Sequence, residues 1–140
     1  MSTSFGDFNR GLIADLRAHG GKPSGGPFAG RDVLILTTKG ARSGEVRENP
    51  LVYHRDKDNF VIVASKGGAP TNPSWYHNVR AHPTVTVEVL GEKFQAKAHF
   101  AEGEEYERLY SQHAAISPMF NEYRAKTTRH IPVIVLERIG

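Results

Sequence analysis

VIVASKGGAPTNPSWY, residues 61–76, is the stretch around which the rest of the chain arranges itself. Val61, Ile62 and Val63 are apolar and β-branched, which reads as a buried strand. The run breaks into Ser65-Lys66-Gly67-Gly68, a turn composition. Asn72 and Pro73 read as the N-cap and first position of a helix, where the N–H that proline lacks is not needed. Pro83 disfavours helical geometry at His82, so this helix is expected to close by Ala81. A strand handed through a glycine turn to a helix N-terminus presents free N–H groups and partial positive charge, which suits an anion. Lys66 adds a full charge. A plain strand–turn–helix corner with a solvated lysine accounts for the same residues.

Working outward, VLILTT at residues 33–38 is a second continuous apolar run, expected to be buried on both faces. It leads into Lys39-Gly40-Ala41-Arg42-Ser43-Gly44. Two glycines, a serine and two basic residues can wrap backbone amides around an anion. A hairpin loop with solvated charges has the same composition. The spacing is not that of a P-loop, which speaks against nucleotide hydrolysis. Residues 51–55 and 60–64 read as a hairpin about a four-residue loop at 56–59, with Asn49-Pro50 restricting the backbone ahead of it. Residues 84–90 alternate, with Val85, Val87 and Val89 on one side. Residues 93–100 return with Phe94, Ala96, Ala98 and Phe100 on one face. Helices are expected at 103–116 and 119–127, interrupted by Ser117-Pro118, and a last strand at 131–139 begins beside Pro132. Short connections between strands imply mostly antiparallel pairing. The fold class that follows is α+β, mainly β: a split β-barrel with helices capping its openings.

The N-terminal part reads differently. Phe5, Phe8, Leu12, Ile13 and Leu16 make one apolar face of a helix. GGKPSGGPFAG, residues 20–30, has five glycines and two prolines and cannot hold regular structure. The expected organisation is therefore residues 1–30 as helix and loop, and 31–140 as the barrel. The helix either packs on the barrel or serves as an arm that covers a site or touches a membrane.

With 140 residues the chain is long enough for one domain with its own core. A net charge of +3 is too mild for nucleic-acid binding and favours an anionic small molecule or an anionic surface. There is no cysteine, which excludes a disulfide framework and a thiol nucleophile. No apolar run is long enough to span a membrane, and the start lacks a signal-peptide pattern, so a cytoplasmic location is expected. None of the seven histidines stands at HxxxH or HExxH spacing, and no metal is expected. No GxSxG elbow is present.

Two segments carry a family resemblance: LILTTKGARSGEVRENPL, residues 34–51, and VIVASKGGAPTNPSWYHNVRAHPTVTVEV, residues 61–89. With IPVIVLE near the end, they resemble the deazaflavin-dependent nitroreductase family, oxidoreductases of split-barrel fold that bind coenzyme F420. The resemblance implies that Arg42, Ser43 and Gly44 hold the cofactor's phosphate and glutamate tail. It implies that Asn49, Pro50 and Leu51, and the element Ala64, Ser65, Lys66, Gly67 and Gly68, line the deazaflavin ring, and that Val63, Pro73, Trp75 and Tyr76 belong to the same pocket. Of the tyrosines that a nitroimidazole-activating member presents to substrate, only Tyr123 matches; Ser117, Phe120 and Val52 stand at the other positions. Ala41 replaces a frequent basic residue, which implies weaker tail binding. These departures speak against nitroimidazole reduction and leave cofactor use untouched.

The expected activity is F420H2-dependent hydride transfer to an electron-poor acceptor: a quinone, an α,β-unsaturated carbonyl or a nitro compound. The cofactor then carries the chemistry, in keeping with the lack of any triad. Ser65 and Tyr123 are the candidate catalytic donors. An FMN-using split-barrel oxidoreductase and a non-catalytic module for F420 or lipid are the competing expectations. Peripheral membrane contact through the N-terminal helix, and a homodimer, are both permitted by the sequence.

Overall fold

A computed structural model describes residues 4–139, the side chains of residues 4–7 and of Pro27 excepted. Phe5 therefore lies outside the described side chains. The elements run α1 (Ser4–Ala18), β1 (Val33–Lys39), β2 (Val46–Val52), β3 (His54–Asp56), β4 (Asn59–Val63), α2 (Ser74–Ala81), β5 (Thr84–Val89), β6 (Glu92–Phe100), α3 (Gly103–Ile116), α4 (Met119–Lys126) and β7 (Val133–Arg138). The strands form one antiparallel sheet in the order β2-β1-β5-β6-β7-β4-β3. Only Tyr53 separates β2 from β3, yet these strands are the two opposite edges of the sheet. The chain can pass from edge to edge in one residue only if the sheet curls until its edges approach. That is the expected split barrel of antiparallel strands with capping helices.

Burial explains why some strands read as solid apolar runs and others as alternation. Leu34 and Leu36 of β1, Phe60 and Ile62 of β4, and Ile134 and Leu136 of β7 join Val85, Val87, Phe94 and Ala96 in the central core. Their neighbours point the other way. Val33 and Ile35 lie beneath α1 with Leu12, Ile13 and Leu16. Val61, Val63, Val133 and Val135 lie beneath α3 and α4 with Tyr106, Leu109, Tyr110 and Phe120. So β1, β4 and β7 are covered on both faces, whereas β6 exposes nearly every second residue and β5 leaves its alternate residues half-buried or exposed. Trp75 and Val79 close the central core from α2.

The helix α1 is seated on the sheet. Burial of its apolar face is joined by Arg17, whose guanidinium binds Glu48 of β2 at 2.7 Å and Glu88 of β5 at 3.0 Å, which raises its pKa.

Several boundaries differ from the sequence reading: β7 begins at Val133 rather than 131, and residues 51–55 divide at Tyr53 between β2 and β3. β2 begins at Val46 and holds Pro50 opposite Ile35, which is tolerated because β2 is an edge strand. The β3–β4 turn is tighter than a four-residue loop: Asp56 pairs with Asn59, and Lys57 takes φ of 57°. Asn72 does not cap α2. Pro73 is the capping residue, with ψ of 155°, and the Asn72 side chain accepts instead from Arg129.

Beneath α3 lies a buried polar pair. His54 and His113 meet Nδ1 to Nδ1 at 2.8 Å, and His54 Nε2 reaches Gln112 Oε1 at 3.2 Å. An amide oxygen only accepts, so His54 carries its proton on Nε2 and accepts at Nδ1 from His113. This leaves His113 Nε2 as a bare lone pair, buried and without a partner among the described residues. Burial holds the His113 imidazole neutral, with its pKa pushed down to about 3.

Candidate active site

A cleft of about 1160 Å3 opens between α1, the β1–β2 turn and the start of α2. Its walls include Arg42 and Ser43 of the turn, Arg47 and Asn49 of β2, and Trp75 and Asn78 of α2. The volume exceeds the few hundred Å3 that a compact ligand needs and suits an extended one.

The turn is tied to itself and to α2. Gly40 N–H donates to Glu45 O at 2.7 Å, and Gly44 N–H donates to Gly40 O at 3.0 Å. A Cβ on Gly40 would stand 2.6 Å from Ser43 Oγ, so a side chain there would displace the hydroxyl that accepts from Glu45 N–H. Asn78 Oδ1 accepts from Ala41 N–H at 2.9 Å, and its amide donates to Thr38 Oγ1 at 3.2 Å. The sequence reading missed Asn78, because its partners lie 37 and 40 residues away and leave no local signal. These ties leave the N–H groups of Arg42 and Ser43 without a partner among the described residues. Arg42 is exposed and has no acidic neighbour among them, whereas Arg47 pairs with Glu45 at 3.1 Å. With the positive end of α2 alongside, the cleft presents backbone donors, a guanidinium and an indole to whatever enters.

The second glycine turn is built quite differently. After Ser65 (φ −77°), residues Lys66, Gly67 and Gly68 take φ of 49°, 64° and 82°. Gly68 N–H donates to Ser65 O at 2.9 Å, and Ala69 N–H to Lys66 O at 3.1 Å. Gly68 lies directly beneath α4: an added Cβ would meet Tyr123 O at 3.0 Å. Lys66 Nζ folds over its own turn to Thr71 Oγ1 at 3.2 Å. From the segment before β7, Arg129 donates to Ala64 O, Ser65 O, Ala69 O and Asn72 Oδ1. Sequence reasoning missed Arg129 as well, since a lone arginine 57–65 positions downstream carries no local mark.

The structure thus brings Arg42, Ser43, Asn49 and Trp75 to one cleft. Gly44 belongs to the same turn but is not on that wall. Pro50, Val63, Ala64, Ser65 and Pro73 are buried, and Leu51 is half-buried against the central core. Lys66 is exposed on the second turn, and Tyr76 packs edge-on against Phe100. Tyr123 is half-buried on α4 beside Gly68, its hydroxyl on Met119 Sδ at 3.2 Å. Among the described residues no cluster of three or more His, Asp or Glu could hold a metal ion.

Residues 9–138 match the family described as F420H(2)-dependent quinone reductase. The chain belongs to that family. It is 40% identical over 108 residues to an F420H(2)-dependent quinone reductase of Mycobacterium tuberculosis (strain H37Rv), covering 75% of this chain and 72% of that one. A solved F420-H2 dependent reductase, FDR-A, is 41% identical with a TM-score of 0.71, covering 76% of this chain and 95% of that one. A second solved chain, described as a domain-swapped dimer, is 36% identical with a TM-score of 0.73, covering 96% and 100%. The family is named for quinone reduction, where the sequence resemblance had pointed to nitroreductases.

Proposed function

We propose that this chain transfers hydride from reduced F420 to a quinone, with the cofactor's phosphate and glutamate tail in the cleft and its ring against the second turn. The observation that carries the reading is the convergence of Arg42, the unpaired N–H groups of Arg42 and Ser43, and the start of α2 on one large cleft in an F420-dependent family. These residues fit the group: a phosphate and carboxylates take peptide and guanidinium donors. Trp75 offers an aromatic edge beside them.

Bound in reduced form, a 5-deazaflavin supplies hydride from carbon 5. The chain's own task is to orient the acceptor and to meet the charge left on its oxygen. Tyr123 fits the second task. Its hydroxyl rests on a thioether, a weak acceptor, and can turn to a substrate oxygen at little cost. Ser65 stands on the neighbouring turn and offers its hydroxyl or N–H. Nitro compounds and enones remain acceptors to be tried beside quinones.

Two further points go with this reading. A homodimer accords with the domain-swapped relative. Peripheral membrane contact through α1 would rest on Phe8, which is 41% exposed, because Leu12, Ile13 and Leu16 are spent on the sheet. No helix among the described residues is long and apolar enough to cross a membrane.

The test is oxidation of F420H2 by menadione, followed by loss of the reduced cofactor. Turnover proportional to enzyme is expected, and Tyr123→Phe should lower kcat about tenfold without weakening F420 binding. F420 binding without turnover of any acceptor would leave a carrier. Tighter binding of FMN than of F420 would remove the deazaflavin assignment.

A further inference from the structure

Arg129 is half-buried, and burial lowers its pKa. No carboxylate partners it among the described residues. It spends its donors on neutral oxygens instead: Ala64 O at 3.2 Å, Ser65 O at 2.8 Å, Ala69 O at 3.1 Å, and Asn72 Oδ1. Those oxygens span the whole turn, from the end of β4 to the approach to α2. A charged guanidinium drawn onto backbone carbonyls rather than an acid is an uncommon use of an arginine. It fixes a conformation that is otherwise strained, since Lys66 holds a positive φ without being glycine.

The consequence lies on the other side of the peptides. All peptide bonds described are trans, so each C=O and the N–H of the same unit point in opposite directions. Ala64 O shares its unit with Ser65 N–H, and Ser65 O shares its unit with Lys66 N–H. Anchoring both oxygens on Arg129 aims both N–H groups away from it. Neither has a partner among the described residues. The guanidinium also polarises both units, which strengthens the N–H groups as donors.

We infer that Arg129 is a positioning residue for the cofactor ring: its grip on the Ala64, Ser65 and Ala69 carbonyls presents Ser65 N–H and Lys66 N–H as a preset pair of donors to a carbonyl oxygen of the ring. The inference rests on the reading that this turn faces the deazaflavin. The positive charge would stay close to two donors suited to the partial negative charge of a carbonyl oxygen of the ring. The cleft with Arg42 would hold the tail independently.

Three variants of the full chain, Arg129→Gln, Arg129→Lys and Arg42→Ala, are compared in two measurements. The first is amide exchange without cofactor. In Arg129→Gln, exchange at Gly68 and Ala69, whose N–H groups close the turn, should rise at least tenfold, while β5 and β6 are unchanged. The second is binding of F420 and of its ring-and-ribityl fragment, which lacks the phosphate and tail. Arg129→Gln should weaken both ligands at least tenfold and to the same extent. Arg42→Ala should weaken F420 alone. Arg129→Lys keeps the charge but cannot span the oxygens, so it should recover little. Unchanged exchange together with unchanged fragment binding in Arg129→Gln overturns the inference. Full recovery by lysine overturns it too, since charge alone would then suffice. If Arg129→Gln does not fold, Arg129→Lys decides by the same two readouts. If the unsubstituted chain binds neither ligand, the cofactor reading fails, and the exchange data still decide whether Arg129 sets the turn.

Discussion

The two glycine turns look alike in sequence and are opposites in structure. Lys39–Gly44 is exposed apart from Gly40, held mainly by its own backbone and by Asn78, and leaves the Arg42 side chain at the wall of an open cleft. The turn after β4 is gripped from below by Arg129 and from above by α4, and its one cation folds back onto Thr71. On the proposed reading, the first would recognise through a mobile guanidinium beside free N–H groups, the second through backbone shape alone. A flexible, solvated anion such as a glutamate tail is met well enough by mobile charge. A rigid ring that must sit correctly for hydride transfer needs donors that do not move.

Two substitutions test that contrast directly. Gly68→Val should have the largest effect. It puts a branched side chain at φ of 82° with its Cβ 3.0 Å from Tyr123 O and close to Lys126. We expect about 3 kcal/mol or more of lost stability, read from denaturant unfolding, and loss of ring binding as α4 is lifted. Arg42→Ala should leave stability unchanged and weaken F420 by about ten- to a hundredfold, roughly 1.5–3 kcal/mol for a charge-assisted bond. That loss should shrink as salt is added, whereas the Gly68→Val defect should not respond to salt. If Gly68→Val folds and binds normally, the second turn is not the rigid partner in the comparison.

The sequence disclosed the barrel because burial on two faces and burial on one face leave different marks. Val33–Lys39 and Val133–Arg138 read as continuous runs since helices cover their outer faces. Thr84–Val89 alternates since its outer face meets only the polar side of α1, through Arg17 and Glu88. The glycine turns were legible through composition. Their scaffolding was not. Asn78, Arg129 and the His54–His113 pair act through contacts 37 to 65 residues apart, and an isolated Asn, Arg or His carries no periodicity. The same limit explains Asn72. Its position before Pro73 suited a cap, and only the distant Arg129 shows why its side chain turns elsewhere. The apolar face of α1 was plain in the sequence, but its seat on Val33 and Ile35 required knowing which strand's outer face lay open to it.

The floor beneath the rigid side should reveal itself in acid. His113 is neutral when folded, with a pKa of about 3 against an ordinary value of 6.5. Between those values the unfolded chain binds the extra proton and the folded chain does not. His113 therefore contributes full stability above pH 6.5 and loses it progressively as pH falls toward 3, by up to about 1.4 kcal/mol per unit. Asp56, Arg108 and Gln112 stand around the pair and keep their own contacts over the upper part of this range. Stability measured from pH 7 to pH 4 should fall less steeply in His113→Gln than in the unsubstituted chain. Equal slopes would mean that His113 titrates normally and that α3 does not depend on a neutral imidazole.

The smallest effect is expected at Lys66, although its charge suits an anion. Lys66 stands at the ring turn, and a cation there suggests direct recognition. Yet its ammonium is committed to Thr71 Oγ1, on an exposed surface, and its backbone is held at φ of 49°. An exposed ammonium-to-hydroxyl bond contributes little. Positive φ is costly for a residue with a Cβ and free for glycine. Lys66→Gly therefore removes a weak contact and relieves strain at once, while preserving the N–H that would face the ring. The two changes oppose each other, and affinity for the ring fragment should move by less than about 1 kcal/mol, or fivefold. Lys66→Ala keeps the strain and loses the contact, so it should be the weaker binder of the two. A loss of a hundredfold in Lys66→Gly would show that the ammonium itself reaches the cofactor. The second turn would then recognise by side-chain charge, as the first does, and the contrast between them would collapse.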